Sequence, residues 1–485
     1  MQSKKLKVLI IGAGFSGICM AIMLKQRGIN DFLILEKGPG LGGTWRLNNY
    51  PGAECDIPSA LYSYSFEHNP EWAYKWSGQQ QILKYQEDTA AKYNIKQHIV
   101  LNTEVATSEY IEDEKRWLIS TVEGQQYDAQ HTVSAIGQLH HPSRPMITGA
   151  DRYLGYRFHS AEWDHSVILD KQRVAVIGNA ASAVQFIPEI AKQVSHLTIF
   201  QRTPNWIIPK VNDSASDFRL WVSKYFPFVT KIVRFRTWLI GEIGLFPAIK
   251  GNRFSRWILK DKNRQLMNRS IKDPKLVAKL TPNYPIGAKR VLFSDNYYPA
   301  LVRDNVTLET TGIDSFTESG ILQNDGVSND FDVVIYATGF KSNPFLAPME
   351  FNGLAGKSLR QAWSNGAHAY LGVVTNGFPN LFMVYGPNTN LGHNSIILMI
   401  EAQAKYISEC ISGLDRKGMQ ALDIKAEIET DYNQALQNRL RKLAFNDVED
   451  SWYKDGDKIT NNWAGGTREY MQRLAKVDWQ AYTIS

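Results

Sequence analysis

The sequence of 485 residues predicts an α/β protein with two Rossmann-like dinucleotide-binding domains and a helical insertion. Two glycine fingerprints, each directly after a short apolar run, predict the two domains. A basic stretch rich in aromatic residues, downstream of the second fingerprint, predicts the insertion. A chain of this length has room for two or three domains, each with its own core.

The first fingerprint, GAGFSG at residues 12–17, follows the apolar strand KVLII. Gly12 permits a tight turn, Gly14 lets the backbone approach a pyrophosphate, and Gly17 allows the helix to pack on the strand. The next strand ends at Glu36, about 20 residues on, where such units bind the ribose. An acid there accepts hydrogen bonds from ribose hydroxyls and repels a 2′-phosphate, which favours FAD or NAD. An ordinary glycine-rich turn is the alternative.

The second fingerprint, GNAASA at residues 178–183, keeps Gly178 and Ser182 but has alanine at two glycine positions. The added methyl groups hold the backbone further from a phosphate, so we expect a weaker grip on the dinucleotide. The following strand ends at Arg202 and Thr203, and an Arg there pairs with a 2′-phosphate, which favours NADP. A repeat that keeps only the fold is the alternative. A chain with both sites is most simply a flavoenzyme reduced by NADPH.

Cysteine and histidine usage excludes several classes of protein. Cys19, Cys55 and Cys410 have no paired spacing, which indicates a reducing compartment and argues against a dithiol enzyme. The basic N-terminus imitates a signal peptide, but its apolar run breaks into the glycine fingerprint, so we expect a cytoplasmic protein. No apolar run reaches the roughly 18 residues of a membrane span. The ten histidines lack metal-ligand spacing, so no metal is expected.

Charge is concentrated in one segment. Between Arg219 and Arg290 there are 17 Lys and Arg but 3 Asp and Glu, although the whole chain carries only +6. Residues 220–246 mix Trp, Phe, Ile and Val with these cations. We interpret the segment as helices that cover the second nucleotide site as a lid. Solvated helices with an apolar underside and contact with a membrane surface are alternatives. Nucleic-acid binding is disfavoured, because no known module is present.

Three further apolar segments end in polar or glycine turns, at residues 133–137, 332–340 and 379–394. The first should return the chain to the first nucleotide domain, and the last suits the edge of a flavin ring. The first domain is therefore predicted to be split by the second. The predicted domains are an FAD-binding part at 1–141, an NADP-binding domain at 142–345 with a lid at about 211–285, and a second FAD-binding part with the C-terminal region at 346–485.

The segment YLGYRFHSAEWD at residues 153–164 resembles the signature of type I Baeyer–Villiger monooxygenases, a family of class B flavoprotein monooxygenases. Their pattern is Phe-x-Gly-x-x-x-His-x-x-x-Trp followed by Pro or Asp. The matching positions are Gly155, His159, Trp163 and Asp164, with Tyr153 in place of Phe. Related enzymes that oxygenate nitrogen and sulfur lack the Trp-Pro/Asp ending. The resemblance extends over most of the chain, through both fingerprints, GGTW at 42–45, Cys55-Asp56, GAKR at 287–290, ATG at 337–339 and SWY at 451–453.

The resemblance implies an enzyme that uses FAD, NADPH and O₂. In this family NADPH reduces the flavin, O₂ adds at its C4a carbon, and the deprotonated peroxide attacks a ketone to give an ester or lactone. Small-molecule ketones, and sulfides as a second class, are the implied substrates. An oxygenase of amines and sulfides and a non-catalytic flavin-binding regulator are alternatives. A disulfide reductase is excluded, because Cys55 has no neighbouring cysteine.

Three residues resemble the family's catalytic set. A peroxide anion needs a fixed cation beside it, and Arg stays charged when it is desolvated. Arg290 resembles the catalytic arginine, and Asp56 resembles the carboxylate that orients it. His159 precedes the second nucleotide domain, where a hinge must move, so we expect a structural hydrogen bond there rather than acid–base catalysis. A turn cap at Asp56 and a plain lid cation at Arg290 are the alternatives.

The resemblance also implies contacts to the two cofactors. Lys289 would join Arg202 and Thr203 at the 2′-phosphate of NADP, and Trp452 would meet the nicotinamide. The remaining implied cofactor contacts are Gly43, Thr44, Trp45, Asp56, Tyr62, Val105, Thr338 and Gly339.

Overall fold

Two sheets built mainly from parallel strands carry the two fingerprints. The computed structural model describes residues 5–341, 343–448, 451 and 453–485. The strands are β1 Lys5–Ile11, β2 Phe32–Leu35, β3 Ile99–Val100, β4 Val105–Ile111, β5 Arg116–Thr121, β6 Gln126–Ser134, β7 Tyr156–His159, β8 Arg173–Ile177, β9 His196–Phe200, β10 Ile207–Ile208, β11 Leu292–Phe293, β12 Val306–Glu309, β13 Ile313–Phe316, β14 Gly320–Gln323, β15 Ser328–Asp330, β16 Val333–Tyr336, β17 Glu350–Asn352, β18 Leu381–Met383, β19 Leu422–Ile424, β20 Lys454–Asp455, β21 Lys458–Ile459 and β22 Tyr482–Ile484.

The helices are distributed over the faces of these sheets and over the insertion. They are α1 Phe15–Gln26, α2 Thr44–Leu47, α3 Gln79–Lys92, α4 Ala181–Ile190, α5 Asp217–Tyr225, α6 Pro227–Ile240, α7 Phe246–Ile249, α8 Arg253–Ser270, α9 Pro274–Leu280, α10 Tyr297–Leu301, α11 Leu359–Ala362, α12 Ile396–Lys417, α13 Ala426–Leu440 and α14 Thr467–Arg473. In the described part of the chain, no helix is long and apolar enough to cross a membrane.

The first sheet has the strand order β17-β4-β5-β6-β1-β2-β3, and β18 pairs with β6. Strand β1 runs parallel to β2 and to β6, whereas β4, β5 and β6 form an antiparallel meander. Helix α1 begins directly after β1 and is buried from Phe15 to Leu24, as expected for a helix that is apolar on all sides. It ends in a turn at Gly28, which has a φ of +77° that favours glycine.

The second sheet, with the order β12-β9-β8-β16-β7, is parallel throughout. Its central strands β8 and β16 are almost entirely apolar, because helices and loops cover both faces of such a sheet. Apolar clusters fill both faces, one beneath α4 and α10 and one beneath the β13-β14-β15 hairpins. Fold class and topology therefore confirm the prediction of two dinucleotide-binding α/β units.

The chain re-enters the first sheet after completing the second. Strand β17 pairs with β4, and β18 pairs with β6, as a split first domain requires. The predicted strand ends at residues 133–137 and 332–340 extend further than the strands do, because β6 ends at Ser134 and β16 ends at Tyr336. The predicted domain boundaries themselves remain predictions.

Helices α5 to α9 fill the predicted insertion. Its two ends meet where β10 pairs with β11, with Ile207 opposite Leu292. Helix α8 packs against β10, and Asn263 of α8 donates a hydrogen bond to the Ile207 carbonyl at 2.8 Å. Helix α8 buries Leu259, Leu266 and Met267, as the alternative of helices with an apolar underside expects, whereas α5 buries none of its residues.

Candidate active site

The first fingerprint forms a cradle that has no room for side chains at two of its glycines. Gly12 has a φ of +102°, and a Cβ there would lie 2.9 Å from the Ala135 carbonyl oxygen. A Cβ on Gly17 would lie 1.9 Å from the Gly12 carbonyl oxygen. At Gly14 a Cβ would make only an ordinary contact, 3.6 Å from the Gly43 Cα. Gly12 and Gly17 therefore allow close packing, while Gly14 leaves the amino end of α1 open to a phosphate.

Glu36 lies at the end of β2 and points back to the fingerprint. Its Oε2 accepts a hydrogen bond from the Ala13 amide at 2.8 Å, and its Oε1 accepts one from the Gly38 amide at 2.8 Å. A carboxylate has about four acceptor positions, so two remain for ribose hydroxyls. The residues present thus fit the ribose and pyrophosphate of an FAD.

The GGTW segment lies against the same cradle. Gly43 has a φ of +51°, and a Cβ there would be 3.2 Å from the Gly14 Cα. Thr44 opens the short helix α2, and the indole N–H of Trp45 donates to the Tyr62 hydroxyl at 3.1 Å. The structure therefore brings together five of the predicted residues, whose contacts to a cofactor stay predictions. Val105 is buried at the start of β4, in the same apolar cluster as Leu35 of β2.

The second fingerprint repeats the glycine turn of the first cradle. Gly178 has a φ of +104°, and a Cβ there would lie 2.5 Å from the Ala337 carbonyl oxygen. The Asn179 side chain donates to the Gln201 Oε1 at 2.7 Å and to the Thr203 carbonyl at 3.1 Å. These bonds fix the end of β9, where Arg202 is exposed. An exposed guanidinium at this strand end is free to meet a 2′-phosphate.

Lys289 belongs to a segment that packs on the loop after Arg202. The ammonium of Lys289 lies 5.1 Å from the centre of the Tyr284 ring. The Tyr284 hydroxyl donates to the Pro204 carbonyl at 3.1 Å, and its own carbonyl accepts from the Trp206 indole at 3.0 Å. A second cation is thereby held near the strand end that carries Arg202 and Thr203.

Arg290 and Asp56 form a two-point ion pair between the two halves of the site. Arg290 Nε donates to Asp56 Oδ2 at 2.5 Å, and Nη2 donates to Oδ1 at 2.6 Å. The side chains are 32% and 21% exposed, so one part of each is still open to solvent or a ligand. Burial disfavours the guanidinium, but the Asp56 charge and hydrogen bonds outweigh this effect and raise the pKa of Arg290.

Three titratable groups beside this pair are neutral. Burial raises the pKa of the Cys55 thiol and of the Tyr385 hydroxyl, and it raises the pKa of Tyr453 to about 12. The Tyr385 hydroxyl donates to Asn390 Oδ1 at 2.8 Å, in the loop that follows β18. These three un-ionised side chains therefore add no charge of their own beside the Arg290–Asp56 pair.

A hydrogen-bonded bridge that the sequence patterns do not predict joins the two nucleotide units. The Tyr50 hydroxyl donates to Gln185 Oε1 at 2.8 Å, and Gln185 Nε2 donates to the Glu54 carbonyl at 2.9 Å. Gly52 is required here, because a Cβ on it would lie 2.8 Å from the Gln185 carbonyl oxygen. The bridge holds α4 on the loop that ends in Asp56. Gln185 lies three residues after Ser182 in the second fingerprint, but nothing in the sequence pairs it with Glu54.

Glu54 also pairs with a buried cation that was not predicted. The Lys210 ammonium contacts the Glu54 carboxylate, and its side chain is only 4% exposed. It also lies 5.4 Å from the centre of the Trp76 ring. Lys210 follows β10, so this ion pair ties the start of the insertion to the loop that carries Asp56.

His159 is fully buried at the end of β7, opposite Tyr336 of β16. Its Nδ1 accepts a hydrogen bond from the Ala161 amide at 3.1 Å and so caps the short 3₁₀ turn that follows. Burial lowers its pKa, although the nearby Glu162 charge and the Gly339 carbonyl act in the opposite direction. A neutral, capping histidine beside Gly339 suits a structural role.

The rest of the signature segment docks on the second sheet. The Tyr153 hydroxyl donates to the Phe331 carbonyl at 2.9 Å. The Phe of the family pattern has no hydroxyl and could not make this bond. A Cβ on Gly155 would lie 2.7 Å from the Asp332 carbonyl oxygen, so the approach of the two chains requires glycine. Trp163 packs edge-on against Phe158, with ring centres 5.2 Å apart.

The loop after β16 lies across from this segment. The Thr338 hydroxyl donates to the Ser143 carbonyl, and the Ser143 amide donates to the Gly339 carbonyl at 2.8 Å. Gly339 has a φ of +78° with open space where a Cβ would point. Trp452, expected to meet the nicotinamide, lies outside the described residues. Among the residues that are described, no group of three or more His, Cys, Asp and Glu could hold a metal ion.

Residues 9–228 match the family model described as pyridine nucleotide-disulphide oxidoreductase. All three cysteines of the chain are buried and unpaired, so a dithiol is not part of this arrangement. The chain is 40% identical to a Baeyer–Villiger monooxygenase of Pseudomonas aeruginosa, over 99% of this chain and 91% of that protein. It is 38% identical to one of Streptomyces coelicolor, over 99% and 92%.

Solved structures show the same architecture. The cyclohexanone monooxygenase of Rhodococcus sp. Phi1 bound to NADP⁺ superposes with a TM-score of 0.90 at 27% identity, covering 100% of both chains. A steroid monooxygenase bound to NADP superposes with a TM-score of 0.89 at 28% identity, covering 99% of both chains. The OTEMO complex with FAD and NADP gives a TM-score of 0.90 at 27% identity over 100% of both chains.

Proposed function

This chain belongs to the Baeyer–Villiger monooxygenase family, and from that premise we propose that it inserts one atom of O₂ beside the carbonyl of a small-molecule ketone. It consumes NADPH and gives an ester or a lactone. The observation that carries the proposal is the two-point ion pair of Arg290 and Asp56, at 2.5 and 2.6 Å, between the two nucleotide cradles.

We assign the two cradles to different cofactors by their charge. When bound, FAD activates O₂ and NADPH supplies the reducing hydride. The first cradle offers the amino end of α1 and the Glu36 carboxylate, which suit a pyrophosphate and a ribose without a 2′-phosphate. The second offers the exposed Arg202, with Thr203 and Lys289 nearby, which suit a 2′-phosphate.

Arg290 supplies the positive charge that oxygen transfer requires. Its Nε and Nη2 are engaged by Asp56, so Nη1 lies at the opposite edge of the planar guanidinium and can donate to an oxygen-centred anion. The neutral side chains around the pair keep this attraction strong, because they neither compete for the anion nor screen it. Asp56 fixes the orientation of the fork and offsets the cost of burying it.

His159 acts as a positioning residue at the junction between the units. Its bond from the Ala161 amide and its place beside Gly339 hold the segment that enters the second sheet. The Gln185 bridge to Glu54 holds the other contact between the units. We also propose that helices α5 to α9 cover the second nucleotide site as a lid and that the domain boundaries fall at about residues 141 and 345. A cytoplasmic location agrees with three buried, reduced cysteines.

Product analysis tests the proposal. Purified holoprotein with NADPH and air is offered linear, cyclic and aryl ketones and, separately, an alkyl aryl sulfide. We expect ketone-stimulated NADPH consumption and an ester or lactone as the product. Oxidation of sulfides or amines without any ester would contradict the ketone assignment, and release of hydrogen peroxide alone with every ketone would contradict oxygen transfer.

A further inference from the structure

A chain of aromatic side chains lies uncovered on the insertion. It begins on α5 and runs onto α6, and we name it the aromatic strip. Neighbouring rings are in contact, with centres 6.2 Å apart for Phe218 and Trp221, 5.6 Å for Trp221 and Phe226, and 6.1 Å for Phe226 and Phe228. The strip consists of Phe218 (72% exposed), Trp221 (51%), Tyr225 (62%), Phe226 (41%) and Phe228 (58%).

The strip continues along the outer face of α6 through Ile232 and Phe235, which are 52% and 57% exposed. The inner face of α6 is fixed to the body of the protein by the buried Arg234. Its Nη1 donates to the Ser63 carbonyl at 2.7 Å and to the Ala60 carbonyl at 3.1 Å. A rotation of the helix that turned its apolar face inward would break these hydrogen bonds of a buried guanidinium.

Cations alternate with these apolar side chains. Arg219, Lys224, Lys231 and Arg236 are all exposed on α5 and α6. Lys224 has a weak ion pair at 3.7 Å with Glu71, and the other three have no ion pair within the ranges that the structure describes. Asp217 is the one acid between residues 217 and 240. The surface therefore consists of exposed aromatic rings with positively charged side chains interspersed among them.

We propose that the aromatic strip and its cations dock the enzyme on the surface of an anionic lipid bilayer. Exposed apolar patches rimmed by polar residues mark interaction sites, and aromatic side chains with Lys and Arg suit the boundary between headgroups and acyl chains. A second copy of the chain fits less well, because pairing this face with itself would bring the same cations together without acids to meet them. The membrane contact is peripheral and goes beyond the proposed oxygenation.

Sedimentation with vesicles tests the docking directly. The FAD-loaded enzyme is mixed with vesicles of phosphatidylcholine or of phosphatidylcholine with phosphatidylglycerol, at low and at high salt. We expect binding to the vesicles that contain phosphatidylglycerol, and weaker binding at high salt. The triple variant F218S/W221S/F228S should weaken this binding about tenfold or more. Each of K231Q and R236Q should weaken it about fivefold at low salt.

A matched control removes exposed apolar side chains elsewhere. Val122, Met146 and Ile168 are 64%, 103% and 76% exposed, and the triple variant V122S/M146S/I168S should bind as the wild type does. Flavin absorbance and thermal unfolding establish that each variant is folded. Absence of wild-type binding to anionic vesicles, or an equal loss in the control, would overturn the proposal. So would a wild-type dimer that F218S/W221S/F228S splits without any vesicle binding. Because no oxygenation is measured, failure here is distinct from failure of the proposed function.

Discussion

Replacing Asp56 by Asn tests whether the carboxylate orients Arg290. The change keeps the size of the side chain but removes its charge and turns one acceptor into an NH₂ donor that faces the guanidinium. Two charge-assisted hydrogen bonds, at 2.5 and 2.6 Å, are at stake. Such bonds contribute about 1.5–3 kcal/mol each when buried. Since the side chains are 32% and 21% exposed, we expect a loss of about 1–3 kcal/mol in the free energy of unfolding.

The catalytic effect should exceed the effect on stability. A guanidinium released from its partner can shift by about 1 Å, a misplacement that costs about 100-fold in rate. Anaerobic stopped-flow mixing with NADPH follows reduction of the bound flavin, and chromatography of an aerobic reaction measures ester per NADPH. We expect D56N to reduce its flavin within about tenfold of the wild-type rate but to form ester about 100-fold more slowly, releasing hydrogen peroxide instead.

The Arg116–Asp128 pair provides a matched control. It joins β5 and β6 away from the cradles, and its side chains are 18% and 12% exposed. D128N should lower the free energy of unfolding by a similar amount and leave the ester yield per NADPH unchanged. If D56N kept the full ester yield, or if D128N lost it equally, Asp56 would have no orienting role.

Three further changes test the cofactor sites and the pH dependence of stability. R202A should raise the KM for NADPH about tenfold or more and leave that for NADH nearly unchanged, and equal changes would refute the 2′-phosphate contact. G17A should abolish retention of FAD on gel filtration, because its Cβ would lie 1.9 Å from the Gly12 carbonyl oxygen, and a fully loaded G17A would refute this packing. Burial raises the pKa of Asp423 to about 6, whereas the pKa of an Asp in the unfolded chain is about 4. The folded protein therefore holds this proton more tightly, and the stability that the protonated group contributes at low pH is lost as pH rises through 6. D423N should therefore flatten the fall in unfolding free energy between pH 4 and pH 7 by up to about 3 kcal/mol in denaturant titrations, and an unchanged fall would refute the assignment.

The fold and the cofactor cradles could be predicted because their determinants are local. A strand, a glycine turn and a helix lie within 30 residues, and the steric need for glycine at Gly12, Gly17 and Gly178 follows from backbone contacts inside each unit. Arg290 and Asp56 lie far apart in sequence and were paired only through the resemblance to a family. The structure then places them in contact.

The contacts that hold the two units together could not be predicted. Gln185 and Glu54 are 131 positions apart, and each belongs to a segment whose pattern explains only its own unit. The sequence also does not show which face of the insertion points to solvent. An amphipathic helix normally turns its apolar side to the core, but in α6 the buried Arg234 takes the inner face, where its Nη1 donates to the Ser63 and Ala60 carbonyls, and the aromatic strip points outward.

The ester yield of R290A tests whether the Arg290 guanidinium is needed for oxygen transfer. The variant is reduced with NADPH, exposed to air with a ketone that the wild type converts, and assayed for ester and for hydrogen peroxide. If the fixed guanidinium stabilises an oxygen-centred anion, R290A should reduce its flavin normally and form no ester. It should release hydrogen peroxide equal to the NADPH consumed. Formation of ester by R290A at the wild-type rate would show that oxygen transfer does not need this guanidinium.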